Sequence, residues 1–250
     1  LKRSLQHKRD PTGSQRKINV YERALVGLFQ NYKKHVKADL EAAHARALES
    51  PAQRPLRIDL NAFSQHLDQL EQDLLLNPAA QVITVKVPEA YRAGSTFANI
   101  QLGAPPEVRA DEAKRIGTLI QANNDAFSKI TAETSGRIRS TIATGILEEQ
   151  PFGEVTRDIV RQIDDVGITR ATMMARTEVM KAVNTGIKDR YAQAGVEKVE
   201  WLTALDDKTC DECEGNSGNV YPIEDTPACP AHPNCRCTLI PKIEIPEMEE

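Results

Sequence analysis

The residues with the most legible chemistry lie near the C-terminal end. All five cysteines follow Thr209, first as Cys210-x2-Cys213 and then as Cys229-x2-His232-x2-Cys235-x-Cys237. Soft thiolates and an imidazole in two close clusters are the ligand types that a tetrahedral zinc site takes. Gly215, Gly218 and Pro222 punctuate the stretch between the clusters, so it can fold back on itself. A tetrahedral site needs four ligands, and six residues are candidates. The CxxC turn supplies Cys210 and Cys213, and His232 with Cys235 completes the set. Cys237 could replace either of the last two, and Cys229 reads as a spectator. Four protein ligands leave no open position, so a zinc held this way is structural and not catalytic. Two other readings stand beside it: a disulfide-linked corner, and reduced thiols that hold no metal.

No second constellation accompanies this one. The remaining histidines, His7, His35, His44 and His66, are far from the cysteines in sequence, and no Gly-rich cofactor loop or Ser/His/Asp set is present. Nucleic-acid binding by the corner is disfavoured. Lys208 and Arg236 stand there against Asp206, Asp207, Asp211, Glu212, Glu214, Glu224 and Asp225, a balance that repels phosphate. The net charge of the chain is −4 and aromatics are 4% of its residues, which speaks against coating a duplex or stacking bases. The exception is residues 1–17. Lys2, Arg3, Lys8, Arg9, Arg16 and Lys17 against Asp10 make a basic arm that is either a solvated tail or a contact for DNA or an acidic surface. The arm has no apolar signal-peptide core. The chain opens on Leu1, which reads as a processed product or as part of something longer. Charges interrupt every apolar run, so no membrane partner is expected.

The elements that must position the cysteines are mostly helical. A 3-4 apolar period at Leu25, Leu28, Tyr32, Val36, Leu40, Ala43 and Ala47 predicts a helix over 18–49. Leu60, Phe63, Leu67, Leu70 and Leu74 predict a second over 59–76, with Asp59 as its N-cap and Asn77-Pro78 as its stop. Together these make a helical hairpin over 18–80. The β-branched, alternating run QVITVKV predicts a strand over 81–87. The Gly-, Ala- and Pro-containing stretch after it predicts a linker or arm to residue 106, with a further short strand near Phe97–Leu102. A long helix follows over 110–149, weakened at Gly136 and Gly145 enough to allow a kink or a split into two. After the turn Pro151-Phe152-Gly153 come helices over 154–164 and 169–194, the latter stopped by Gly195. VEKVEWLTAL (196–205) reads as a strand, with Trp201 as a core anchor. Thr238-Leu239-Ile240 is a second short strand able to pair with it. Residues 243–250 form an acidic tail. The fold class is therefore mainly α, with a small C-terminal α+β module built around the Cys/His corner.

These residues also carry a family resemblance. Ala175-Arg176-Thr177-Glu178, then Ala182 and Asn184, Gly195-Val196, Trp201, Asp206, Cys210-x2-Cys213 and His232-Pro233-Asn234-Cys235-Arg236-Cys237 follow one another in this order. The series resembles the C-terminal signature of the phage head morphogenesis family, the Mu protein F-like minor head proteins. The resemblance covers about residues 107–242, with the metal corner at 206–237. It implies a minor, portal-associated protein inside the head of a tailed phage, made in the host cytoplasm, with a role in assembly and in DNA packaging or delivery. The partners implied are the portal protein and the capsid interior, with phage DNA reached through the basic arm. An enzyme of toxin, transferase or nuclease type and a zinc-containing DNA-binding protein are the alternatives. Within the signature, Arg176 and Glu178 are two apart on a helix and point in different directions. Glu178 is placed to accept Arg236 in a bidentate pair that docks the corner, or the two are separate solvated charges. Asp206 reads as a cap for the turn into the CxxC loop.

Overall fold

A computed structural model of the chain describes residues 10, 12–47, 56, 58–105, 107, 109–204 and 209–243. Most of the basic arm, the break at Pro51 and Pro55, Asp206 and the acidic tail lie outside the described residues. The elements run α1 (Gln15–Ala47), α2 (Leu60–Glu71), a π-helical turn (Gln72–Leu76), α3 (Asn77–Leu102), α4 (Glu112–Leu147), α5 (Phe152–Gln162), a second π-helical turn (Ile163–Ile168), α6 (Thr169–Gln193), β1 (Lys198–Leu202), α7 (Asp211–Asn216), β2 (Val220–Pro222) and β3 (Thr238–Lys242). The protein is mainly helical with one small sheet, as the apolar periods predict.

Several boundaries follow from local chemistry. Asp10 accepts hydrogen bonds from the Ser14 and Gln15 N–H groups (3.0 and 2.8 Å) and so caps the start of α1. Asp59 accepts from Asn61 and Ala62 and caps α2. Gly195 follows α6 with φ +75°, the left-handed conformation that a helix-ending glycine adopts without strain. α4 runs unbroken as an α-helix and is not split into two.

The expected strand over 81–87, the linker to 106 and the short strand near Phe97–Leu102 are corrected to a helix, α3. Seven alternating residues are too short a window. Over the longer stretch Ala79, Ile83, Val87, Ala90, Tyr91 and Ala98 are all buried, and their spacing is helical. The apolar stripe outweighs the β-preference of single residues. Asn77-Pro78 does not stop the helix either. The π-helical turn lies just before it, with the Asn77 N–H bonded to the Gln72 carbonyl, and widens the backbone where the proline ring needs room.

The chain divides into two compact units, and the divisions fall inside α1, α3, α4 and α6. One unit comprises Glu22–Thr84 and Gln121–Met174. It is an all-helical core with Leu25, Phe29, Tyr32, Val36 and Leu40 of α1 buried along one stripe. Phe29, not Leu28, is the fully buried position there. The Phe29 and Phe127 rings lie 5.5 Å apart. Further along α1, His44 is fully buried and stacks on Phe152 at 4.1 Å. Glu71, also buried, accepts from Arg139 at 3.1 Å.

The other unit comprises Leu1–Tyr21, Val85–Ile120 and Ala175–Glu250. Here α3 crosses α6 at unusually close range. A Cβ on Gly94 would stand 1.9 Å from the Val183 carbonyl oxygen, and one on Gly186 would stand 2.1 Å from that of Tyr91. Only glycine fits at either position. Beside the crossing, Tyr91 donates to the buried Asp189 carboxylate at 2.9 Å, which Arg115 also meets at 3.1 Å. The sheet has the order β2-β1-β3, all antiparallel, with Trp201 opposite Leu239. This is the pairing expected of the two sequence-predicted strands. Trp201 is fully buried and anchors the sheet, again as expected.

Candidate metal centre

The CxxC turn is built at the start of α7. Cys210 precedes the helix in an extended conformation, and its carbonyl accepts from the Glu214 N–H at 2.9 Å. One helical turn later Cys213 faces inward and is buried, while Cys210 remains exposed. The second cluster is built differently. Asn234 has φ +62°, and the Cys235 N–H returns to the His232 carbonyl at 3.2 Å. This tight turn brings the His232 ring and the Cys235 thiol to the same side. Asparagine tolerates that backbone conformation better than most residues.

The two clusters meet. His232 Nε2 lies 3.1 Å from Cys210 Sγ and 3.0 Å from Cys213 Sγ, and Cys213 Sγ lies 3.7 Å from Cys235 Sγ. Among the described residues, Cys210, Cys213 and His232 form one group able to hold a metal ion, and Cys213, Cys235 and Cys237 form a second that shares Cys213. The four residues predicted to be ligands are therefore split between two groups that meet at Cys213, and Cys237 stands in the second. Cys229 is in neither group. None of the five thiols is in a disulfide.

The donor set fits a tetrahedral ion. Two thiolates on one zinc, each at about 2.3 Å, stand about 3.8 Å apart, close to the Cys213–Cys235 separation. A void of ≈ 20 Å³ is lined by Cys210, Cys213, His232, Cys235 and Cys237 among others, and it has room for one occupant of water or ion size. His232 Nδ1 donates to the Pro233 carbonyl at 2.8 Å. That bond fixes the tautomer and leaves the Nε2 lone pair for a metal, the outer-sphere arrangement common to ligating histidines.

The crowded thiols also disturb one another. A hydrogen bond from Cys237 stabilises the Cys235 thiolate and lowers its pKa to about 5. Burial pushes the Cys213 thiol up to about 12. Donation to Cys235, with burial, pushes Cys237 up as well. The Cys213 backbone N–H, with neighbouring thiol and imidazole, lowers Cys210, and the Pro233 carbonyl raises His232. So many thiols at such short range do not all ionise without a cation, and a bound dication removes that conflict.

α6 carries the corner. Glu178 is buried and pairs with Lys181 at 3.2 Å, and Arg176 is half-buried on the same helix. Two further residues of α6 hydrogen-bond to the corner. The Asn234 N–H donates to Thr177 Oγ1 at 3.2 Å. Asn184 Nδ2 donates to the Cys237 carbonyl at 3.0 Å, and Asn184 Oδ1 accepts from the Thr238 hydroxyl at 2.9 Å. Both Thr177 and Asn184 stand in the signature read from the sequence, but nothing in their spacing from the cysteines announced that they would hold them.

Residues 137–240 match the family model described as phage Mu protein F like protein. The match begins within α4 and ends in β3, so it contains α6, most of the sheet and the whole Cys/His corner. No curated protein and no solved structure matches the chain.

Proposed function

We propose, from the match of residues 137–240 to the phage Mu protein F like family, that this chain is a minor head protein of a tailed phage, acting in head assembly and in DNA packaging or delivery. The observation that carries the reading is that the matched stretch holds the ordered signature from Ala175 to Cys237, which folds as α6, strands of a three-stranded sheet and a Cys/His corner hydrogen-bonded to that helix. Such a module offers a rigid platform for partners. Among the described residues no helix is long and apolar enough to cross a membrane.

The corner is a structural zinc site in this reading, held by Cys210, Cys213, His232 and Cys235, with Cys237 beside them. A zinc ion there supplies folding energy by tying α7 to the turn before β3. The basic arm lies on packaged DNA or on an acidic portal surface, while the acidic corner stays clear of phosphate. The protein works inside the head against the portal, after assembly in the host cytoplasm, and its role is structural.

The test is particle composition. Purified procapsids and virions are expected to contain the chain at low copy relative to the major capsid protein, and the chain is expected to co-purify with the portal. Its absence from both kinds of particle, or fully infectious heads formed without it, would overturn the assignment.

A further inference from the structure

We propose that Thr177 and Asn184 are positioning residues for the metal centre, and that α6 serves as the template that sets the spacing of its His232–Cys237 half. The proposal rests on the metal reading of the preceding subsection and adds to it the part of the molecule that presets the site.

Thr177 and Asn184 are seven residues apart, two helical turns. They therefore share one face of α6 and are separated along it by about 10 Å. The groups they bind, the Asn234 N–H and the Cys237 carbonyl, are three residues apart, a stretch that reaches at most about 10 Å. The stretch that carries Cys235 is thus held against the helix at both ends. Thr177 holds the turn that aims His232 and Cys235. Asn184, 2% exposed, holds the backbone just beyond them. Its amide nitrogen also donates to the Met180 carbonyl of its own helix at 3.1 Å, and its oxygen is taken by Thr238 at the first position of β3. The side chain is therefore locked on its own helix, and the corner takes its position from it. Cys210 and Cys213 are carried separately on α7 and meet this preset half through His232 and Cys235.

Outer-sphere groups that orient ligands typically change metal affinity about 10- to 100-fold when removed. The purified full chain is loaded with zinc, and its affinity is measured by competition with a chromophoric chelator. Cobalt loading gives the ligand-field and thiolate charge-transfer bands as a second readout. Thr177→Val keeps the shape and removes the acceptor. It is expected to weaken zinc binding about 10-fold and to alter the cobalt bands, with helical circular dichroism unchanged. Thr177→Ser restores the oxygen and is expected to restore both. Asn184→Ala is expected to weaken binding towards the upper end of that range. If the wild-type chain binds one zinc while Thr177→Val and Asn184→Ala bind it with equal affinity and unchanged cobalt bands, the template role is overturned and the metal site stands. If the wild-type chain binds no zinc under reducing conditions, the metal reading itself fails and takes this proposal with it. Thr177 is half-buried, so its variant remains informative if Asn184→Ala fails to fold.

Discussion

Replacing Gly186 by alanine tests the packing that supports the corner. The added Cβ would stand 2.1 Å from the Tyr91 carbonyl oxygen, 3.0 Å from its carbonyl carbon and 3.2 Å from the Ser95 nitrogen. All three atoms are backbone of α3, so no side chain can turn aside. Relief requires the two helices to part by about 1 Å, in an interior where close packing leaves no slack. Overpacking of this kind costs about 3 kcal/mol at the upper end of its usual range. The separation also strains the bond from Ser95 Oγ to the Gly186 carbonyl and the Tyr91–Asp189 bond, each worth about 1 kcal/mol. Alanine's better helix propensity returns about 1 kcal/mol. With one of the two bonds lost, the net destabilisation is about 3 kcal/mol, which lowers Tm by roughly 6–12 °C in a chain of this size. The control is Gly117→Ala in α4, where an added Cβ meets nothing within 4 Å. That change is expected to raise stability by up to about 1 kcal/mol, so the two substitutions differ in sign. Thermal unfolding followed by circular dichroism decides the matter. A Gly186→Ala protein that melts at or above wild type, or a Gly117→Ala protein that falls as far, would refute the argument. Adding Gly94→Ala to Gly186→Ala is expected to cost less than the sum of the two, because the first opens the gap that the second needs.

Two further predictions follow from buried polar groups. Cys213→Ser removes the residue common to both candidate ligand groups, so zinc retention is expected to be lost, whereas Cys229→Ser keeps about one zinc per chain; elemental analysis after reducing purification reads both. Burial raises the Glu71 carboxyl above its ordinary 4.5, and Ser135 and Arg139 offset this only in part. A carboxyl raised in the folded state favours folding when protonated, so its contribution is full below the unfolded value and is lost as the pH rises through the folded pKa. Glu71→Gln is therefore expected to remove a downward contribution to Tm as the pH rises above the unfolded carboxyl value, and a pH dependence of Tm equal to that of wild type would count against it.

The sequence by itself determined the mainly helical class and most of its boundaries. The stripe from Leu25 to Leu40, the Asp59 cap and the Gly195 stop are local features, and local rules read them. The CxxC and HxxC clusters were legible for the same reason, since ligand types at short spacing carry their chemistry with them. α3 was misread because the β-preference of a seven-residue run is a weak local signal. It yields to a helical stripe that runs on from Ala79 to Ala98, well beyond that window. Only the tertiary structure decided that Gly94 and Gly186 face each other, because a close crossing is a property of two backbones and neither segment encodes it alone. The same holds for the hold on the corner. Glu178 and Arg236 were legible as a docking pair or as separate solvated charges, because charges are what a one-dimensional reading can match. Nothing in the sequence pointed to Thr177 and Asn184 as partners of the corner, since they are small polar side chains whose value depends on distance. They share one face of α6, and only the folded chain brings that face to the backbone of Asn234 and Cys237.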